Sequence, residues 1–301
     1  MKNIGFLLLL VLLISCRNGA KEGTEEEVSR TSGKVTLLVD ESYVGIINKE
    51  IEVFKSDYPN AEFKIIPGNE SKMLPTFLND SVRTMVLSRP LSAEEEKPYQ
   101  KKGIRVYTSR FAIDGIALIT HKDNSDSTIT AEEVIGIMQG NGAGKNLVFN
   151  NPYSSTIRYF KELAKVKELP AKGVYTLQTN DDVIKYVAEN KNFIGVLGVN
   201  WIMENEETMA SSLAAVKLIG VKNIKGKKGG DAYYKPTQAN LISGIYPFLR
   251  NICIINAEGK DGLATGFANW LLSPRGQLIV LKSAFGPNQI ISREFNLKST
   301  K

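Results

Sequence analysis

The sequence predicts an α/β protein with largely parallel sheets, and three observations predict it. Short aliphatic runs alternate with stretches of helical periodicity, the helices open on cap sequences, and several strand ends carry Ser, Thr or Arg just before a helix begins. Val35-Thr36-Leu37-Leu38-Val39 reads as a strand, and after Asp40-Glu41-Ser42 the apolar residues Val44, Ile47, Ile51 and Phe54 recur at helical spacing until Pro59. Phe63-Lys64-Ile65-Ile66 is a second strand, Ser71 to Leu78 a short helix, and Thr84-Met85-Val86-Leu87 a third strand that runs into Ser88-Arg89-Pro90-Leu91. Ser92-Ala93-Glu94-Glu95 and Thr130-Ala131-Glu132-Glu133 are capping boxes, in which the hydroxyl and the glutamate three residues on satisfy each other's free amides. Asn180-Asp181-Asp182 caps a helix before the strand Phe193-Ile194-Gly195-Val196-Leu197, and Ser273-Pro274 opens a late helix through Leu281. No internal repeat interrupts this order.

Sheets of this kind bind small molecules beyond the carboxyl ends of their strands, where helix N-termini present free amides and a dipole that favours negative charge. Three strand ends qualify: Asp40-Glu41-Ser42-Tyr43, Ser88-Arg89-Pro90-Leu91, and Asn151-Pro152-Tyr153-Ser154-Ser155-Thr156-Ile157-Arg158 after Leu147-Val148-Phe149. Each hydroxyl taken singly is an ordinary helix cap. Together with the planar fork of Arg158 they suit a tetrahedral oxyanion.

The amino terminus points to export. Lys2 precedes the apolar run from Phe6 to Ile14, too short to cross a bilayer core of about 30 Å as a helix. Leu13-Ile14-Ser15-Cys16 looks like the lipobox of bacterial lipoproteins, which makes residues 1–15 a signal peptide and Cys16 the lipidated first residue of the mature chain. Residues 16–33, polar and poor in large apolar groups, read as a flexible tether that holds the domain at the periplasmic or cell-surface side of a membrane. With Cys16 lipidated, Cys253 in the run Ile252-Cys253-Ile254-Ile255 is left as a buried free thiol behaving as a small hydrophobe. A hydrophobic fraction of 43% suffices for a core, and the net charge of +6, less the one on Lys2, leaves a mildly basic mature protein.

The order of Ser88-Arg89-Pro90-Leu91, Asp114-Gly115-Ile116-Ala117-Leu118-Ile119, Thr130 to Gly140, Ser154-Ser155-Thr156 and Ile245-Tyr246-Pro247-Phe248-Leu249-Arg250 resembles the periplasmic phosphate-binding proteins of ABC transporters. The resemblance covers about residues 34–295. It implies the two-lobed type II periplasmic binding protein fold, with two crossover strands near Phe111 to Ala117 and Tyr246 to Ile252 forming the hinge. Lobe 1 would then be discontinuous, residues 34–113 and 247–301, with lobe 2 at 114–246.

Carried over position by position, the resemblance implies that Ser42 and Tyr43 supply a hydroxyl and amides, and that Ser154-Ser155-Thr156 stands where the family has Ser-Gly-Thr. The arginine that family members often place before that turn is Asn150 here, so Arg158 or Arg89 would carry the charge. The family's Ser-Asp-x-x-Leu reads Ser88-Arg89-Pro90-Leu91, which removes the carboxylate that accepts the phosphate proton unless Asp114, Asp40 or Glu41 replaces it. The ligand-binding set expected on these grounds is Ser42, Tyr43, Ser88, Arg89, Asp114, Ser154, Ser155, Thr156 and Arg158.

The function expected is therefore capture of inorganic phosphate, or a related oxyanion, by a monomeric lipid-anchored protein that delivers it to an ABC permease. The rival is an anion-sensing or adhesion lipoprotein on the same fold. Catalysis fits poorly: His121 is the single histidine, and no Gly-x-Ser-x-Gly elbow or His/Cys cluster of metal-ligand spacing accompanies it. No cofactor or metal is expected. Gly140 to Asn146 fails the P-loop spacing and reads as a connection, and Lys222 to Gly230 lacks the interleaved aromatics of a nucleic-acid surface.

Overall fold

The computed structural model describes residues 29–204 and 209–290, and strands and helices alternate through most of that span. The leader, Cys16, most of the tether and residues 291–301 lie outside the described residues. In chain order the elements are β1 (Gly33–Asp40), a 3-10 turn (Glu41–Tyr43), α1 (Val44–Asp57), β2 (Ala61–Gly68), α2 (Glu70–Leu78), β3 (Thr84–Leu87), α3 (Ala93–Lys101) and the long β4 (Tyr107–His121). They continue with β5 (Thr128–Thr130), α4 (Ala131–Met138), β6 (Asn146–Phe149), α5 (Ser155–Ala164), β7 (Val174–Thr176), α6 (Asn180–Glu189), β8 (Phe193–Gly198) and α7 (Val199–Glu204). The last are α8 (Ala210–Ala214), β9 (Val216–Leu218), β10 (Gly220–Lys222), α9 (Gln238–Ser243), β11 (Leu249–Asn256), α10 (Leu263–Leu272), α11 (Pro274–Leu281) and β12 (Gly286–Pro287).

The caps explain most helix starts. Ser92 and Thr130 form the capping boxes their sequences predict. At α6 the box is built by Thr179 and Asp182, one residue earlier than the Asn180 cap expected from sequence, because a threonine hydroxyl can both accept from the Asp182 amide and donate to its carboxylate.

One sheet runs through the molecule in the order β2-β1-β3-β11-β4-β8-β6-β7. Its flanks are parallel, β1 with β2 and β3 on one side and β6 with β7 and β8 on the other. The middle is antiparallel, because β11 returns between β3 and β4, and β4 meets β8 head to tail. β4 is the long strand that belongs to both halves, and β11 lies against it from Leu249↔Gly115 to Asn256↔Tyr107.

Each half is buried on both faces. Leu37 and Val39 point into one cluster with Phe54, Phe267 and Trp270, while Leu38 points to the other side with Met73, Phe77 and Tyr99. In the second half Leu147 and Phe149 join Ile157 and Phe160, while Val148 joins Val183 and Val187. This period-two sorting is why both β1 and β6 read as continuous apolar runs. Cys253 is a buried free thiol on the face of Leu38, as its sequence context predicts.

Candidate functional site

The ends of β1, β3, β6 and β8 open toward the same region, and the middle of β4 and the start of β11 pass beneath it. Arg250 and Asp114 are register partners in the β11–β4 ladder, so their side chains leave the sheet on the same face. Both are buried completely. Arg250 Nε donates to Asp114 Oδ2 at 3.0 Å, and Nη2 donates to the same oxygen. Its remaining arm reaches the start of α5, Nη1 donating to Ser155 Oγ at 3.0 Å and Thr156 Oγ1 at 3.2 Å. Tyr43, carried by the turn after β1, donates its phenol to Asp114 Oδ2 at 3.3 Å and lies under the Arg250 guanidinium. Asp114, Tyr43, Arg250, Ser155 and Thr156 thus form one buried network, with the buried Asp40 close enough to act on its charges.

Burial sets the electrostatics. It raises the Asp114 carboxyl above its usual value, an effect that Arg250 partly offsets. Burial likewise opposes the Arg250 charge, yet Tyr43, Asp114 and Asp40 around it hold the guanidinium protonated. Burial also pushes the Tyr43 phenol well above its ordinary range, so it stays a donor.

The hydroxyls are the informative part. A hydroxyl has one proton to give and two lone pairs to accept with. Ser155 and Thr156 accept from Arg250, Ser154 accepts from the Ile157 amide at 3.3 Å, and Ser88 accepts from Arg158 Nη2 at 2.8 Å. None of the four donates among the described residues, so each keeps its proton for something else. All are nearly inaccessible, with 1–4% exposure. The first amides of α5 have no partner within the helix either.

Unpartnered acceptors accompany these donors. Asp114 Oδ1, Asp40 Oδ2, Asn150 Oδ1 and Asn200 Oδ1 are buried without a hydrogen bond, although Asp40 Oδ1 accepts from the Ser42 amide at 2.9 Å. Asn200, just past β8, donates to the Ser42 carbonyl at 3.1 Å, and its oxygen lies beside Gly198. A Cβ at Gly198 would lie 2.6 Å from that oxygen, so only glycine leaves room for it. Buried polar atoms in native proteins are ordinarily paired, and a cluster of unused donors beside unused acceptors is what a ligand bearing both kinds of group would satisfy.

The expected site residues therefore converge, but in different roles. Ser42, Tyr43, Ser88, Asp114, Ser154, Ser155 and Thr156 lie in or beside the network. Arg158 spans the two halves: besides Ser88, it donates from Nε to Glu70 at 2.8 Å and from Nη1 to Glu162 at 2.7 Å. Arg89 is held by Glu70 and by both oxygens of Glu95, with Nη1 also on the Pro90 carbonyl. Its charge is spent within its own half. Glu41 accepts from Asn151 across the halves at 2.7 Å. Arg250 was not singled out by sequence reasoning, nor were Asn150, Asn200 and the bridging Glu70. For Arg250 a signal existed, an arginine inside an apolar strand run, which demands a buried partner.

A family model described as a PBP superfamily domain matches residues 24–275. The phosphate-binding protein PstS of Pseudomonas aeruginosa is 24% identical over 289 residues, 87% of this chain and 85% of its own. Among solved structures, a phosphate ABC transporter substrate-binding protein of Clostridium perfringens with bound phosphate aligns at TM-score 0.68 and 21% identity over 85% of this chain and all of its own. An ABC-type phosphate transport receptor of Vibrio cholerae aligns at TM-score 0.66 and 18% identity, also over 85% of this chain and 100% of its own. The two structures share this fold.

Proposed function

From the premise that this chain belongs to the PBP superfamily and has its two-lobed α/β fold, we propose that it captures inorganic phosphate between its lobes for an ABC permease. The relatives' names support the ligand class, and the site chemistry supports the choice within it. Among the described residues we assign 34–113 with 247–290 to one lobe and those of 114–246 to the other, β4 and β11 making the crossovers. The apolar leader followed by Cys16 supports an exported, lipid-anchored protein working outside the cytoplasm.

The observation that carries the proposal is the four buried hydroxyls whose oxygens accept hydrogen bonds and which donate none among the described residues. Arg250 acts through Ser155 and Thr156 and Arg158 through Ser88, polarising those O–H groups toward an anion, while the Ile157 amide does the same for Ser154. In this arrangement Arg250 takes the charge role that the sequence assigned to Arg89 and Arg158. Asp114 Oδ1 and Asp40 Oδ2 take the role of the acidic acceptor missing beside Ser88, since each can receive a proton still carried by the ligand. Sulfate brings no proton at neutral pH, and would meet the same oxygens as an unpaired repulsion.

Titration calorimetry with phosphate, sulfate and molybdate tests the proposal. Tight phosphate binding with weak or absent sulfate binding is expected; equal affinity for the three overturns the assignment. No catalytic role is proposed for these residues.

A further inference from the structure

Beside Arg158 lies a cavity of about 420 Å³, bounded by α2 on one side and by α5 and the segment after it on the other. Its inner wall is the Glu70–Arg158 ion pair. Its rim carries Lys161, Lys165 and Lys167. Arg158 and these three lysines face two carboxylates, Glu70 and Glu162, and both carboxylates are already engaged by Arg158. The lysines make no ion pair among the described residues, so no carboxylate partner offsets their charge along the lining of this one concave space.

We infer that this cavity is an outer oxyanion site, the station at which a small phosphate-like anion is first held before it passes to the inner hydroxyls. The inference rests on the reading of the inner site as an anion site. Arg158 forms the partition between the two: its Nη2 is bonded to Ser88 on the inner side, and its Nε and Nη1 to Glu70 and Glu162 on the outer side. An anion arriving among the lysines meets Arg158 first. It then competes with Glu70 for the guanidinium, and that exchange opens the inner wall. Concave clefts lined by one sign of charge concentrate ions of the other and raise association rates, an effect that salt removes.

The test is stopped-flow mixing with inorganic phosphate, followed through tryptophan fluorescence, since Trp201 is adjacent to Asn200 in the chain. The native protein is compared with the Lys161→Gln/Lys165→Gln/Lys167→Gln variant at low and high salt. The association rate of the variant is expected to be about tenfold lower at low salt and to converge with the native rate at high salt. Equal rates at low salt overturn the outer site, as does a native association rate that does not fall with salt, a measurement that needs no variant. Calorimetry on the native protein separates the two levels: absence of phosphate binding removes the inner site and this inference with it, whereas normal binding with unchanged rates removes the outer site alone.

Discussion

Arg250 and Asp114 face each other across the β11–β4 ladder, fully buried and joined by two hydrogen bonds to one carboxylate oxygen, while the other oxygen of Asp114 is left without a partner. A buried pair of this kind contributes little net stability, because desolvating both ions offsets their attraction. Its retention makes sense as the base of a binding site.

Breaking the pair from one side should be costly. Asp114→Ala leaves the Arg250 charge buried and uncompensated, and should lower unfolding free energy by about 3–5 kcal/mol in urea titrations. Asp114→Asn keeps an acceptor oxygen and should cost less. In calorimetry it should reduce discrimination between phosphate and sulfate.

Glu70 fastens the lobes through Arg158 while also holding Arg89 in its own half. Glu70→Gln should weaken the charge-assisted bonds that span the cleft, worth about 1.5–3 kcal/mol for bonds to a charged group. The unliganded variant is expected to show a larger radius of gyration in solution scattering than the native protein. An unchanged radius would mean that Glu41–Asn151 and Ser42–Asn200 hold the two halves together without it.

Gly198→Ala puts a methyl group where the Asn200 oxygen sits. The asparagine must rotate, giving up its bond to the Ser42 carbonyl, so phosphate affinity should fall by about tenfold, in keeping with a bond of about 1 kcal/mol plus displaced geometry. The melting temperature should change little.

A carboxyl outside the site network, Glu50, makes stability depend on pH between the mildly acidic range and about pH 8. Burial pushes Glu50 up to about 8 despite the hydrogen bond it accepts from Trp270 Nε1 at 3.0 Å. Because the folded value lies above the unfolded one of about 4.5, the folded state favours the protonated form. The stability this group permits is complete below the unfolded value and is lost as pH rises through the folded one. Unfolding free energy should therefore fall progressively from about pH 4.5 to about pH 8, by a few kcal/mol (about 1.4 per pH unit), and level off above that. Glu50→Gln should flatten that part of the profile.

Much of the fold was legible because local signals agree with the tertiary result. The strand from Thr84 to Leu87, the capping boxes at Ser92 and Thr130 and the Ser273-Pro274 helix start all rest on contacts within a few residues. The antiparallel centre was not legible, since the return of β11 between β3 and β4 depends on pairings far apart in the chain. The site divides the same way. Ser154, Ser155 and Thr156 announce themselves at a helix start, but the partner of Arg250 is 136 residues away. The pair was still open to inference: Asp114 and Arg250 are opposite charges embedded in otherwise apolar strands, and each is affordable only if the other meets it. Arg89 shows the converse, because its neutralisation by Glu70 and Glu95 depends on how α2 and α3 pack and no spacing in the sequence reveals it.

The most direct measurement is a crystal structure of the native protein grown with phosphate. Tetrahedral density is predicted between the lobes, with oxygens within hydrogen-bonding distance of Ser88, Ser154, Ser155 and Thr156 and one of them against Asp114 or Asp40. Density confined to the lysine-rimmed outer cavity, or none between the lobes at saturating phosphate, would contradict the account.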